Sequence, residues 1–78
     1  MNYLTHPNYN PAALLDTVRT MRNLGNDFAL SIELEMSHAH ISRVRNKRRS
    51  VGAEMMRRIR AVTGMTQEDM RRIMGVES

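Results

Sequence analysis

Residues 27–46 have the sequence DFALSIELEMSHAHISRVRN, and this stretch decides the fold. Its apolar residues recur at helical spacing on both sides of an interruption at Met36 and Ser37. Because serine is a good helix N-cap, Ser37 marks the start of a second helix. We predict one helix over residues 27–35 and the next from Ser37 to about residue 47. The apolar bulk of the first of these helices is supplied by Phe28, Leu30, Ile32 and Leu34. The connection between them is very short, so the two helices must cross close together.

A longer helix is predicted on the N-terminal side of this stretch. Asn10 is a favourable N-cap, and Pro11 suits the first helical position, where its missing N–H costs nothing. Steps of three and four residues give the apolar stripe of an amphipathic helix, formed by Leu14, Leu15, Val18 and Met21. Gly25 suits a left-handed C-cap, so we predict this helix over residues 11–24. Residues 1–10 then form an irregular N-terminal arm, and residues 11–78 form the domain.

Two more helices are predicted on the C-terminal side. A basic loop at residues 47–52 precedes a fourth helix, which Gly64 stops. The apolar face of that helix consists of Met55, Met56, Ile59 and Val62. Thr66 and Asp69 resemble a capping box that opens a fifth helix, which ends before Gly75. Five short helices with short connections predict a compact all-α bundle, and 78 residues suffice for one such domain.

Basic residues are concentrated in one part of the chain. Twelve Lys and Arg residues against eight Asp and Glu give a net charge of +4. No acid lies between Met36 and Ala53, and five cations crowd into seven positions, namely Arg43, Arg45, Lys47, Arg48 and Arg49. So focused a positive field favours a polyanionic partner, although a solvated basic face without a ligand has the same composition. The chain has no cysteine, which excludes a disulfide framework and a thiolate zinc site.

Helical geometry predicts which side chains of the third helix face outward. At about 100° per residue, one narrow stripe is formed by Ala39, Ser42, Arg43 and Asn46. Ile41 and Val44 lie roughly 150° away from it. When this apolar pair docks on the core, the polar stripe must therefore face away from the core. Arg43 can then donate two hydrogen bonds to guanine, and Asn46 can pair with adenine.

The quoted stretch resembles the helix-turn-helix motif of the lambda-repressor/Cro-like family. Ser31 lies where the family has a small residue, because the two helices nearly touch there. Ile41 and Ser42 match a pair common in the family's recognition helix. The buried apolar positions of the motif are matched by Leu30, Leu34, Met36, Ile41 and Val44. Glu35 replaces a common turn glycine, which predicts a different bend or strain in a left-handed conformation. Asp27 replaces a glutamine that often contacts phosphate, so we do not transfer that contact.

The resemblance covers residues 11–75 and implies a set of DNA contacts. It assigns contacts to base edges in the major groove to His38, Ala39, Ser42, Arg43 and Asn46. Contacts to the DNA backbone are expected from Ser37, Arg45, Lys47, Arg48, Arg49 and Ser50. The implied protein is a sequence-specific transcriptional regulator, similar to small phage or mobile-element repressors and acting on its own or a neighbouring promoter. Its implied partner is double-stranded DNA, bound at an inverted-repeat operator by a homodimer.

No cofactor, metal, small-molecule ligand or membrane partner is expected. The N-terminus has no charged start followed by an apolar run, and apolar stretches reach only about four residues, which favours a cytoplasmic, nucleoid-associated protein. The candidate dimer surfaces are the fifth helix, through Met70, Arg71 and Met74, and the arm at Tyr3 and Leu4.

Three other function classes compete with DNA binding. An enzyme is disfavoured, since His38 and His40 point about 200° apart on a helix and no phosphate loop or nucleophile motif is present. A helical protein-interaction module, such as an antitoxin or an inhibitor of a host system, stays open because fold does not dictate function. An RNA reader is a weaker alternative, because the chain offers few aromatic residues for stacking on bases.

Overall fold

The structure, a computed structural model, describes residues 2–76, and all regular structure in that range is helical. The five helices are α1 (Pro11–Arg22), α2 (Asp27–Leu34), α3 (His38–Arg45), α4 (Ala53–Thr63) and α5 (Gln67–Met74). The predicted all-α bundle of five short helices is thereby confirmed. None of these helices has the length and apolar composition needed to cross a bilayer.

Helix α1 is central, since it packs against each of the other four helices. Its residues Leu14, Leu15 and Val18 are fully buried. They share one apolar core with side chains from the other helices and the loops, which include Leu30, Leu34, Ile41, Val44, Val51, Met55, Ile59, Met70 and Met74. Met55, Met70 and Met74 therefore help to fill the core, a use that suits their flexible side chains.

The start of α1 is confirmed, but its predicted end is wrong. The side chain of Asn10 accepts a hydrogen bond from the Ala13 N–H over 3.2 Å, and Pro11 occupies the first position. The helix ends at Arg22, because Asn23 and not Gly25 adopts the left-handed conformation. Asparagine tolerates that conformation better than most residues, so it can end a helix before the glycine is reached.

The connection between α2 and α3 is a tight left-handed turn. Glu35 has φ 55° and ψ 42°, so of the two expected alternatives, a different bend or a left-handed conformation, it adopts the left-handed conformation. The Glu35 N–H donates to Ile32 O over 3.1 Å, and the Met36 N–H donates to Ser31 O over 2.9 Å, which completes a Schellman motif. Ser37 then caps α3, since its Oγ accepts from the His40 N–H over 3.1 Å. The predicted cap is therefore confirmed, and α2 ends one residue earlier than expected.

The predicted caps of α4 and α5 are also confirmed. Gly64 and Gly75 adopt the left-handed conformation, each with φ 78°. Thr66 and Asp69 form the reciprocal capping box at the start of α5, in which each side chain accepts from the other residue's N–H over 3.1 Å.

Several apolar residues lie elsewhere than expected. Met21, Phe28 and Ile32 were expected to contribute to the apolar faces of their helices, but they are 50%, 60% and 63% exposed. In α2 the buried side consists of Leu30, Ser31 and Leu34. Phe28 and Ile32 are four residues apart and share the outer face, because a helix repeats every 3.6 residues. In a helix of eight residues, the spacing of the apolar residues did not distinguish the buried face of α2 from the exposed face.

Residues 2–10 of the N-terminal arm contain no helix or strand, and they are docked on the bundle. Tyr9 is buried, and its hydroxyl accepts a hydrogen bond from the Val51 N–H over 3.0 Å. The Asn10 N–H donates to Met74 O over 2.7 Å. The Tyr3 N–H donates to Ser50 Oγ over 2.8 Å. The arm thus joins the loop before α4 to the end of α5.

The docked arm and the buried face of α5 change the candidate dimer surfaces. Met70 and Met74 are fully buried in the core, so they cannot form a surface for a second subunit. Tyr3 is half-buried against the core, which leaves Leu4 as the exposed apolar residue of the arm.

Candidate nucleic-acid interface

The predicted stripe on α3 faces solvent. His38, Ala39, Ser42 and Arg43 are exposed, and so is Asn46, which directly follows the helix. Ile41 and Val44, on the opposite side, are both 0% exposed. The two buried side chains fix the rotation of α3 about its own axis, so the polar stripe is held outward.

Asn46 is part of this surface, although it lies at the C-cap and not inside the helix. Its Nδ2 donates to Ser42 O over 2.9 Å and approaches Ser42 Oγ at 3.4 Å. The amide therefore folds back over the last turn of α3. To pair with adenine it must exchange these local contacts for the base, which an exposed side chain can do.

Two histidines on α3 have different surroundings. His38, at the first position of α3, meets the ring of Phe28 edge to face, with centroids 6.2 Å apart. His40 is half-buried, and burial together with the nearby Arg49 and Arg43 guanidinium groups lowers its pKa. Among residues 2–76, no three His, Asp or Glu side chains are grouped so as to hold a metal ion.

Four cations surround the end of α3 without a carboxylate partner in the described part of the chain. They are Arg43, Lys47, Arg48 and Arg49, and all four are exposed. Lys47 adopts the left-handed conformation with φ 61°, which turns the chain back over α3. The backbone N–H groups of Arg48 and Arg49 both donate to Arg43 O, over 2.8 and 3.2 Å. This turn brings cations from the loop next to the polar stripe.

Arg45, a predicted backbone contact, is engaged within the protein by two carboxylates. Its Nε and Nη2 donate to Oδ2 and Oδ1 of Asp27 over 2.7 and 2.8 Å, and Nη2 also donates to Asp16 Oδ1 over 2.9 Å. Arg19 lies 3.8 Å from the same Asp27 carboxylate. Arg45 therefore links α3 to α1 and α2. An acid eighteen residues earlier in the chain engages its guanidinium, so the expected phosphate contact would require breaking this pair.

Ser50 and Ser37 also have intramolecular roles. Ser50 Oγ accepts from the Tyr3 N–H, so this residue fastens the arm to the basic loop. Ser37 remains exposed, but its hydroxyl caps α3. A phosphate contact by either side chain would have to share the hydroxyl with these bonds.

An open groove of about 610 Å³ lies beside α3, between the arm and the start of α4. Leu4 forms part of its apolar wall, His40 contributes an imidazole, and Arg48 and Arg49 form the cationic side. Glu54 also lines it, but its carboxylate is engaged by Arg57 and Arg58. The groove therefore places the cations Arg48 and Arg49 beside α3.

Arg58 was not identified from the sequence, yet it supports the turn before α3. Its Nη1 donates to Leu34 O over 3.2 Å and to Glu35 O over 3.1 Å. These carbonyl groups lie at the C-terminal end of α2, where they have no partner within the helix. The basic charge and the position of Arg58 on α4 gave no signal of this contact, because it depends on how α4 packs against α2.

Comparison of the chain with protein-family models, with curated proteins and with solved structures found no match. The function of the chain is therefore inferred from the geometry and charge of the surface around α3.

Proposed function

We propose that this protein binds duplex DNA in a sequence-specific manner and regulates transcription as a repressor of its own or a neighbouring promoter. The observation that supports this most strongly is the exposed stripe of α3, which is backed by the buried Ile41 and Val44. Four cations that have no carboxylate partner within residues 2–76 flank it. In this proposal α2 and α3 form a helix-turn-helix, and α3 is the recognition helix.

The chemistry of the stripe suits the edges of base pairs. The major groove of B-DNA is about 12 Å wide and admits one helix. Arg43 would donate a bidentate pair of hydrogen bonds to O6 and N7 of guanine, and Asn46 would pair with adenine. Ser42 can bond to either base, and His38 meets a base edge or a phosphate at the start of α3.

The surrounding cations suit the phosphate backbone. Lys47, Arg48 and Arg49 lie directly after the stripe and have no carboxylate to compete with phosphate within residues 2–76. Contacts of this kind supply affinity and register without selecting the sequence. Repression would follow when the bound protein excludes polymerase from the promoter.

A homodimer on an inverted repeat is part of the proposal. One α3 contacts few base pairs, so a second copy one helical turn away would increase both affinity and selectivity. Leu4 on the arm and Arg71 on α5 remain on the surface as parts of the two candidate dimer contacts.

Selection of oligonucleotides from a random duplex pool is the most informative experiment. We expect enrichment of one short, palindromic site, followed by salt-dependent binding of that duplex and no comparable binding of its single strands. Recovery of no common sequence, or equal binding of single strands, would contradict sequence-specific duplex binding.

The backbone contacts can be tested separately from the base contacts. Replacing Lys47, Arg48 and Arg49 by alanine should flatten the dependence of log affinity on log salt by about 0.9 for each phosphate group that the protein no longer neutralises. The matched control replaces Arg57, Arg60 and Arg72 by alanine, which removes the same charge from α4 and α5. A slope that stays as steep as that of the wild type in the first variant would show that the loop does not touch DNA.

A protein-interaction module is the second candidate function. It is favoured by Phe28 and Ile32, which are 60% and 63% exposed on one face of α2. The same selection experiment discriminates the two candidates, since an interaction module with no DNA function would enrich no sequence.

A further inference from the structure

Arg45 is the one member of the predicted basic cluster that has an ion pair within residues 2–76. The side chains of Arg45 and Asp27 are only 24% and 20% exposed. The remaining cluster members, Arg43, Lys47, Arg48 and Arg49, are all exposed. Within the described part of the chain, Arg45 is therefore held by carboxylates, whereas no carboxylate engages the other four cations of the cluster.

Arg45 lies on the flank of α3, beside the stripe. At 100° per residue its Cα is roughly 120° from the middle of the stripe, between the stripe and the core-facing side. Asp27 lies at the first position of α2, so the ion pair runs across the gap between the two helices. A flexible arginine stem released from this pair could extend along the flank toward a phosphate at the edge of the groove.

The ion pair is in place at neutral pH. Hydrogen bonding to the Arg45 guanidinium lowers the pKa of Asp27, and the adjacent charges of Arg45 and Arg19 act in the same direction. The carboxylate is therefore ionised under ordinary conditions. Asp16 adds a second carboxylate contact to Nη2 of Arg45, from the surface of α1.

We propose that Asp27 is a positioning residue that withholds Arg45 from the DNA backbone and fixes α3 against α2. This inference rests on the proposed DNA-binding function. Asp27, the acid that replaces glutamine at the start of the helix-turn-helix motif, would then have a role in DNA binding. The acid does not contact DNA; it neutralises a cation that would otherwise bind phosphates of every sequence alike.

Asp27 would have two separable effects on DNA binding. A phosphate contact by Arg45 would steepen the salt dependence and strengthen binding to any duplex, because such contacts do not select sequence. Release of Arg45 would also remove a link between α2 and α3. The ratio of the affinity for the preferred operator to that for an unrelated duplex would therefore decrease. A purely structural role of Asp27 would lower stability without changing the salt dependence.

The test measures affinity against salt for the selected operator and for an unrelated duplex. Wild-type selectivity is established first, because its absence would overturn the proposed function and this inference with it. In Asp27→Asn, the slope of log affinity against log salt should become steeper by about 0.9, and binding to the unrelated duplex at 0.1 M salt should strengthen about fivefold. The double variant Asp27→Asn with Arg45→Gln should return the slope to the wild-type value.

Two further variants keep the result interpretable. Glu33→Gln changes the net charge equally on the same helix, but its partner is Arg22 of α1, so its slope should stay at the wild-type value. Asp16→Asn removes one contact of Arg45 and leaves the bidentate pair with Asp27, so it should steepen the slope less than Asp27→Asn. Circular dichroism verifies that each variant is folded at the assay temperature. If Asp27→Asn is unfolded at that temperature, the slope measured for Asp16→Asn serves as the test instead. An unchanged or flatter slope in a folded Asp27→Asn protein, with wild-type selectivity intact, would overturn this inference alone.

Discussion

The guanidinium of Arg58, on α4, donates to the carbonyl oxygen of Glu35, the left-handed residue between α2 and α3. Glu35 is a residue with a Cβ in a conformation that favours glycine, and the contact holds its carbonyl group in place. The turn between α2 and α3 is therefore supported by a side chain more than twenty residues later in the chain. Because α3 carries the proposed recognition surface, this turn contributes to the stability of the fold and also positions that surface.

Glu35→Gly should increase the free energy of unfolding by up to about 1 kcal/mol, because glycine adopts the left-handed conformation without steric cost. Urea denaturation followed by circular dichroism provides the measurement. Glu35→Ala retains the Cβ and should give no such gain. A glycine variant less stable than the alanine variant would show that the turn is not strained.

Arg58→Met should decrease the free energy of unfolding by about 1–2 kcal/mol. Methionine retains the apolar stem but leaves the Leu34 and Glu35 carbonyl groups without their donor. Arg57→Met is the matched control, since Arg57 is 74% exposed and pairs with the same Glu54. Its effect should stay within about 0.5 kcal/mol, and equal decreases in both variants would rule out a special role for Arg58.

Gly75→Ala should destabilise the protein by more than about 1 kcal/mol, and more than Gly64→Ala does. Both glycines have φ 78°, but a Cβ at Gly75 would lie 2.5 Å from Asn8 O, whereas nothing lies within 4 Å of one at Gly64. The difference between the two thermal midpoints measures how firmly the arm is held against the end of α5. Equal midpoints would indicate that the arm moves aside freely.

Asp27→Asn should destabilise the protein by about 1–3 kcal/mol at pH 7, because it leaves Arg45 partly unpaired. The pKa of Asp27 in the folded state lies below its unfolded value, so its stabilising effect is fully present above about pH 4 and is lost as the pH falls further. Urea denaturation at a series of pH values should show the two proteins converging in stability below about pH 4. A constant difference down to pH 2 would contradict the assigned pKa direction.

Arg43→Ala should weaken binding to the preferred operator by about 1–3 kcal/mol and relax the choice at one base pair. Fluorescence anisotropy with the operator and its single-base variants provides the measurement. Arg60→Ala removes an exposed arginine from α4 and should leave the base preference unchanged. If Arg43→Ala weakens all duplexes equally, Arg43 contacts the backbone and not a base.

Much of the fold was predictable because its signals are local. The Ser37 cap of α3, the capping box of Thr66 and Asp69, and Pro11 at the start of α1 each depend on residues within one helical turn. Where two local signals compete, prediction is less certain: Asn23 ends α1 before Gly25 can, since asparagine also tolerates the left-handed conformation.

The candidate surface was partly predictable for the same reason. A few residues of one helix suffice to separate Ile41 and Val44 from the stripe that contains Ser42 and Arg43, so the outward direction of the stripe follows from helical geometry once the apolar pair is buried. In α2 the same reasoning misplaced Phe28, because an apolar side chain can lie on either face of a short helix.

The sequence by itself determined the helical class, the helix starts and the direction of the polar stripe, because each depends on residues within a few positions of one another. Only the tertiary structure decided which cations are engaged by carboxylate or carbonyl groups from distant parts of the chain. Arg45 pairs with Asp27, and Arg58 supports the turn at Glu35, through contacts that span eighteen and twenty-three residues. Such pairings depend on how the helices pack, and composition and periodicity carry no information about them.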